Sequence, residues 1–237
     1  ASDPCVNDTD DRCGRREFPE KAIIVATTTD LYIFDAKDNS QWMNFDKGAT
    51  TTEQMIGPTT NSTGVTVTAY EGKIYYGNQG SAGGLYVIDF VRDQGYRYNS
   101  TDDYVGDKTV SNRNSTVTWT TGPGQPIVNS SVNDVSAAVI CGNPSTSSGS
   151  CRTYVAAATD AGVSVINETD QRVINYTNTS GADAYSVQLT KDGTLYFSEA
   201  KNDEVAVFTN IQTDTADQTS ADRTYDESSG VALWSSA

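Results

Sequence analysis

The chain has no histidine among its 237 residues. That removes the usual general base, the Ser-His-Asp triad and the commonest metal ligand. There is also no C-x-x-C pair among its four cysteines, which argues against a zinc site. Basic residues are few: sixteen Lys and Arg stand against thirty-one Asp and Glu, for a net charge of −15. Such a balance argues against nucleic acid and anionic membrane surfaces as partners, and is compatible with cation binding or a saline setting. No apolar run approaches the ~20 residues of a membrane-spanning helix, so membrane insertion is not expected. Apolar residues make up only 36% of the chain. No glycine-rich loop leads from a strand into a helix; Gly80 to Gly84 lies between two predicted strands and reads as a hairpin turn.

What is present is β-strand composition. Leucine is scarce, and Val, Ile, Tyr and Thr fill the alternating positions. The stretch Ala184 to Thr209 organises the rest. Tyr185 to Leu189, Thr194 to Ser198 and Glu204 to Thr209 each alternate in polarity, as half-buried strands do. Lys191-Asp192-Gly193 and Lys201-Asn202-Asp203 supply the turns between them. The second and third runs of this meander recur in Ala22 to Asp35, Lys73 to Asp89 and Arg152 to Asn167, so four units are predicted. First strands precede three of them, at Val65 to Ala69, Val135 to Cys141 and Tyr185 to Leu189. The first unit lacks one, whereas Gly230 to Ser235 is a spare copy near the other end. The expectation is that this spare strand pairs beside Ala22 to Thr27 and closes the first unit of its own chain; the alternative is that it pairs into the first unit of the next molecule, as a head-to-tail polymer.

TKDGTLYFSEAKNDEVAVF, within the fourth unit, resembles the blade repeat of β-propellers of the NHL, SMP-30 and lactonase-like group. That resemblance covers the four units, roughly half the chain, and implies four-stranded blades around a central channel. The expected fold is therefore an all-β, four-bladed propeller over residues 22–237, preceded by a polar arm at 1–21. A β-sandwich built of similar meanders is the alternative. The connections Asp46 to Gly64 and Asn99 to Asp134 read as irregular loops, and the segments Ala49 to Thr60 and Asn99 to Asp134 are expected to frame any binding surface. The stretch Gln212 to Gly230 reads as a polar tail.

Eight N-x-[ST] sequons occur, at Asn7, Asn61, Asn99, Asn114, Asn129, Asn167, Asn175 and Asn178. An Asn- and Thr-rich chain produces some by chance, but their placement in predicted turns and at strand ends suits a glycosylated surface. Together with an N-terminal Ala1 in place of Met, they lead to the expectation of a removed secretory leader and an extracellular location. Cys141 and Cys151 flank a loop between neighbouring strands, and Cys5 and Cys13 flank a short polar loop; these two local pairings are expected of the three that four cysteines allow.

Catalytic candidates are thin. Asp30, Asp35, Asp89, Asp160 and Glu199 could supply paired carboxylates, but most sit where Asp is an ordinary turn residue. Asp8, Asp10 and Asp11 could attract calcium, yet their spacing matches no EF-hand. The SMP-30 resemblance implies a calcium held by a Glu and Asn or Asp side chains in the channel; only Glu199 and Asn202 are suggestive of it. No catalytic residue, resident metal or required cofactor is therefore assigned. The function expected is that of a secreted, non-enzymatic glycoprotein: structural, adhesive, or forming filaments or matrix through self-association or other extracellular glycoproteins. The alternatives are a calcium-dependent hydrolase of the SMP-30 or lactonase type, and lectin-like carbohydrate binding on Trp42, Trp119 or Trp234.

Overall fold

The computed structural model describes residues 18–47, 53–57, 64–80, 83–142, 151–178, 182–200 and 203–226. These form seventeen strands and two single-turn 3-10 helices. Four antiparallel sheets follow one another along the chain, each a meander of sequence neighbours. The first contains β1 (Ala22–Ala26), β2 (Asp30–Asp35) and β3 (Gln41–Asp46). The second runs through β4 (Val65–Tyr70), β5 (Lys73–Asn78), β6 (Gly84–Asp89), β7 (Gln94–Tyr98), β8 (Asp103–Gly106) and β9 (Trp119–Thr121). The third holds β10 (Val132–Ile140), β11 (Arg152–Thr159), β12 (Gly162–Asn167) and β13 (Arg172–Tyr176). The fourth holds β14 (Ala184–Leu189), β15 (Leu195–Glu199), β16 (Glu204–Phe208) and β17 (Arg223–Tyr225).

The chain is all-β, and its serial sheets are the blades of a β-propeller, as the repeat predicted. Three apolar seams hold the blades in order. Leu31, Ile33 and Phe45 of blade 1 pack on Ile74, Tyr76 and Ile88 of blade 2. Tyr75, Leu85 and Val87, on the opposite face of blade 2, pack on Val135, Val155 and Ile166 of blade 3. Tyr154, Ala156 and Val165 of blade 3 meet Leu195, Phe197 and Phe208 of blade 4. The period-2 geometry of a strand makes this possible, because alternate residues serve the two neighbouring blades. A sandwich would place two sheets face to face; here each interior blade lies between two others. No apolar cluster joins blade 4 to blade 1 among the described residues.

Several expectations are corrected. Asn99 to Asp134 is not one long loop. β8 and β9 within it extend the second sheet to six strands, with Arg97 opposite Tyr104 and Gly106 opposite Trp119. Gln212 to Gly230 is not simply a tail, since β17 pairs with β16 through Val207 and Arg223 and completes the fourth blade. The third blade's first strand begins at Val132, three residues earlier than expected, and takes in a bulge between Val132 and Asp134. The predicted turn at Lys191-Asp192-Gly193 is present. Gly193 adopts φ +81°, and its N–H donates to the Thr190 carbonyl at 3.1 Å. At the predicted arm's end, Phe18 packs edge-on to Trp42 and Phe90, with centroids 4.8 and 5.3 Å away. The segment Gly230 to Ser235, expected to be the closing strand, lies outside the described residues.

Candidate functional site

The centre of the blade array is held by two adjacent residues in the bulge of β10. The Asn133 amide nitrogen donates to Asp160 at 2.8 Å and to the Ala184 carbonyl of blade 4 at 2.9 Å. Its oxygen accepts from Gln79 of the β5–β6 turn at 2.8 Å. Asp134 accepts from the Val187 backbone at 2.9 Å, from the Ser186 hydroxyl at 3.2 Å and from Thr66 of β4 at 3.3 Å. The extra residue of a bulge re-aims the side chains around it. Here consecutive residues both reach neighbouring blades, and one strand staples three blades. Close approach at this point also requires Gly77, where a Cβ would stand 2.6 Å from Val132. Sequence reasoning did not single out Asn133 or Asp134; polar residues interrupting an otherwise apolar first strand were the signal.

Cys141 and Cys151 are joined as expected. They continue the β10–β11 pairing one step past Ile140 and Arg152, with Cα atoms 4.0 Å apart. Cys5 and Cys13 lie outside the described residues, as do Asn7, Asn61, Asn202, Trp234 and the acidic cluster Asp8, Asp10 and Asp11.

The six described sequons divide into two environments. Asn99 uses its side-chain oxygen to accept from the Thr101 backbone at 2.9 Å and the Thr101 hydroxyl at 2.7 Å, an Asx turn. Asn129 accepts from the Ser131 backbone at 2.8 Å, and Asn114 from that of Asp46 at 2.9 Å. In these three the amide nitrogen has no hydrogen bond among the described residues. The middle serines of two sequons, Ser100 and Ser130, are hydrogen-bonded to each other at 2.9 Å, which puts Asn99 and Asn129 side by side. Asn167, Asn175 and Asn178 differ. Asn167 is buried at the end of β12 and donates to Asp170 at 3.2 Å and Tyr154 at 3.4 Å. Asn175 lies within β13 and donates to Asp217 at 3.4 Å. Asn178 donates to Glu199 at 3.4 Å and, more closely, to Glu204.

Glu199 and Glu204 are therefore the nearest approach to a paired-carboxylate site. They are cross-strand partners in β15 and β16, 3% and 7% exposed, with the Asn178 amide between them. Asp35 and Asp89 do what turn aspartates do, accepting from the Lys37 and Val91 backbones at 2.9 Å each. Among the described residues no group of three or more Asp, Glu or Cys is placed to hold a metal.

A second polar cluster lies at one end of the seam between blades 1 and 2. Asp30 and Asp46 face each other across β2 and β3. Burial, then the neighbouring Asp30 carboxylate, pushes Asp46 above the ordinary range for Asp. Lys47 is buried, 3.4 Å from the Asn78 oxygen and 5.1 Å above the Tyr76 ring. Burial lowers it to about 8, with Asp30 opposing.

The two segments expected to frame a surface do come together, but at the outer edge of blade 2. The Val117 N–H donates to the Glu53 carbonyl at 2.9 Å, and Gln54 donates to that of Asn114 at 2.7 Å. Arg97 reaches both Glu53 oxygens at 2.9 and 3.0 Å and lies 5.4 Å from the Tyr86 ring centre. Of the tryptophans named as sugar platforms, Trp42 is only 2% exposed, closed over by Phe18 and Phe90, and cannot serve. Trp119 is half-buried against Tyr86. A cleft of about 90 Å³ lies between blade 3 and the turn after β16; Arg172, Asp214, Asn167 and Tyr176 are among its lining residues.

No family model matches the chain, and no curated protein matches it. Among solved structures it is similar to Hsv2 of Kluyvelomyces marxianus, at 14% identity and a TM-score of 0.35 over 84% of this chain and 62% of that one. It is similar also to hydrazine synthase of Kuenenia stuttgartiensis, at 11% identity and a TM-score of 0.38 over 80% of this chain and 43% of that one. The chain thus spans less than two thirds of either. The fold assignment stands on the strand topology described above.

Proposed function

We propose that the protein is a secreted, N-glycosylated, non-enzymatic β-propeller with a structural or adhesive role, acting through self-association or contact with other extracellular glycoproteins. The observation that carries this reading is the paired arrangement of Asn99 and Asn129. Two sequons lie side by side in turns, each with an uncommitted amide nitrogen, as glycan acceptors on a folded surface should be. The Cys141–Cys151 bridge agrees with an oxidising compartment. The alternative of a calcium-dependent hydrolase draws on Glu199 and Glu204. Those carboxylates are 3% and 7% exposed, and both accept from the Asn178 amide. Carbohydrate binding retains Trp119 as its one described aromatic candidate.

The test is glycopeptide mapping of protein from its natural host. Glycans are expected at Asn99, Asn114 and Asn129, and a bare Asn167, because a sugar there would expel a buried amide from its hydrogen bonds. An intact mass equal to the bare 25.4 kDa chain would overturn the reading.

A further inference from the structure

The three seams between blades are built alike. In each later blade the second strand turns two alternate apolar residues toward the preceding blade. They are Ile74 and Tyr76 in β5, Val155 and Ala157 in β11, and Leu195 and Phe197 in β15, all buried. β1 occupies the same place in blade 1, where Ile24 faces blade 2 and Ile23 and Val25 face the other way. Those two are 48% and 40% exposed. Their cross-strand partners are Phe34 and Tyr32, so four large side chains make one apolar square with no blade against it among the described residues. At the other end of the array, blade 4 turns Tyr196 and Val205 away from blade 3. Tyr196 is 40% exposed, and Tyr185 in the adjoining strand is 58% exposed. Of the six exposed large hydrophobic residues among the described ones, four lie on these two end blades. Apolar exposure is thus concentrated on the two blades that have one described neighbour each, which is how an interaction surface differs from scattered surface residues.

We propose that these two faces are the halves of one seam, formed between two copies of this chain, with blade 4 of one copy packing on blade 1 of the next. The occupant is argued from the molecule itself. A face built like the first faces of blades 2, 3 and 4 fits the outward face of a preceding blade, and Tyr196 and Val205 are on the outward face of a blade of this same chain. The contact joins two different patches, so it is heterologous, and successive copies close into a ring or extend as a filament according to their rotation. This deepens the self-association part of the proposed function. It does not depend on glycans, and the two readings fail separately.

The experiment is light scattering with size-exclusion chromatography on the full chain at ~100 μM, before and after enzymatic removal of any glycan. Wild-type protein should run as two or more copies. Ile23→Asp and Tyr196→Asp should each reduce it to single-chain mass while keeping the wild-type strand circular dichroism, since both sites are open to water. An equimolar mixture of the two variants should recover a two-chain species, because one unaltered blade 1 can still meet one unaltered blade 4. A wild-type chain that is monomeric throughout overturns the proposal. So does an assembly unaffected by either variant, or a mixture that remains monomeric.

Discussion

Blades 1 and 3 are built from the same repeat but meet different surroundings. Blade 3 lies between two neighbours, and every residue of β12 is buried. Its sequence, GVSVIN, shows weak alternation, because both faces of the strand must be apolar or small. Among the described residues blade 1 has a neighbour on one side only. β2, DLYIFD, alternates buried with half-buried, and β1 alternates half-buried with exposed. In this pair, the continuous run of β12 goes with a blade between two others, and the alternation of β1 goes with a blade that has one described neighbour. β14 conforms, with three of its six residues exposed.

The largest expected effect comes from breaking an interior seam and comparing it with the open face. Phe197 is 2% exposed and stacks on Phe208 with centroids 5.8 Å apart. Phe197→Ala should cost about 3–5 kcal/mol of unfolding free energy. Phe34→Ala, on the half-buried outward face of blade 1, should cost about 1 kcal/mol or less in the isolated chain. Equal losses in chemical denaturation would mean that blade 1 is covered within one chain and that the contrast is false.

Opening the Cys141–Cys151 bridge with Cys→Ser changes should cost on the order of 2–3 kcal/mol, because the loop it closes is short. The loss belongs to blade 3 and should leave the signal of Trp42, in the seam between blades 1 and 2, unchanged until global unfolding. Asp134→Ala removes the carboxylate that accepts from blades 2 and 4 at once. About 1–3 kcal/mol is expected, mostly from the Val187 N–H left without its partner. Thr66→Ala, which loses a 3.3 Å contact to the same carboxylate, should cost less. Urea melts of the two variants would rank the staple.

The smallest single-residue effect is that of Lys47 on the pH dependence of stability. Lys47, lowered to about 8 in the fold, binds fewer protons there than in the unfolded chain, whose lysines titrate near 10.4. Its penalty on stability is full below pH 8 and is relieved as pH rises toward about 10. The buried tyrosines act in the opposite sense. Burial raises Tyr75, Tyr76, Tyr86, Tyr98 and Tyr176, so the folded state keeps protons that the unfolded chain loses above pH 10. Stability should therefore fall steeply beyond that point. Lys47→Met should flatten the rise between pH 8 and 10 and leave the alkaline fall intact; thermal melts across pH 7–11 would check both.

The meanders were legible because each has two long alternating runs and a turn rich in Gly, Asn or Asp. What escaped was short or polar. β8 is four residues and β17 three, with Asp, Gly, Arg and Thr among them, and such strands exist only because a longer strand offers them an edge. Trp42 looked available as a platform because its cover is Phe18, from the predicted arm, and Phe90, from the next blade. The sequons looked alike because a three-residue motif carries no record of Tyr154, thirteen positions away, which contacts Asn167. The bond between Ser100 and Ser130 spans thirty positions and could not be read from local pattern at all.

The bulge of β10 has a mechanical consequence. Hydrogen bonds from two consecutive residues tie blades 2, 3 and 4 together at one level, so a pull applied along the chain loads them in parallel, and they yield as a block. Among the described residues blade 1 has no bond to that rivet. It is attached through its seam with blade 2 and can peel away one row of side chains at a time, at far lower force. In a pulling experiment it should be the first extension recorded, small and early, before the remaining three blades give way together.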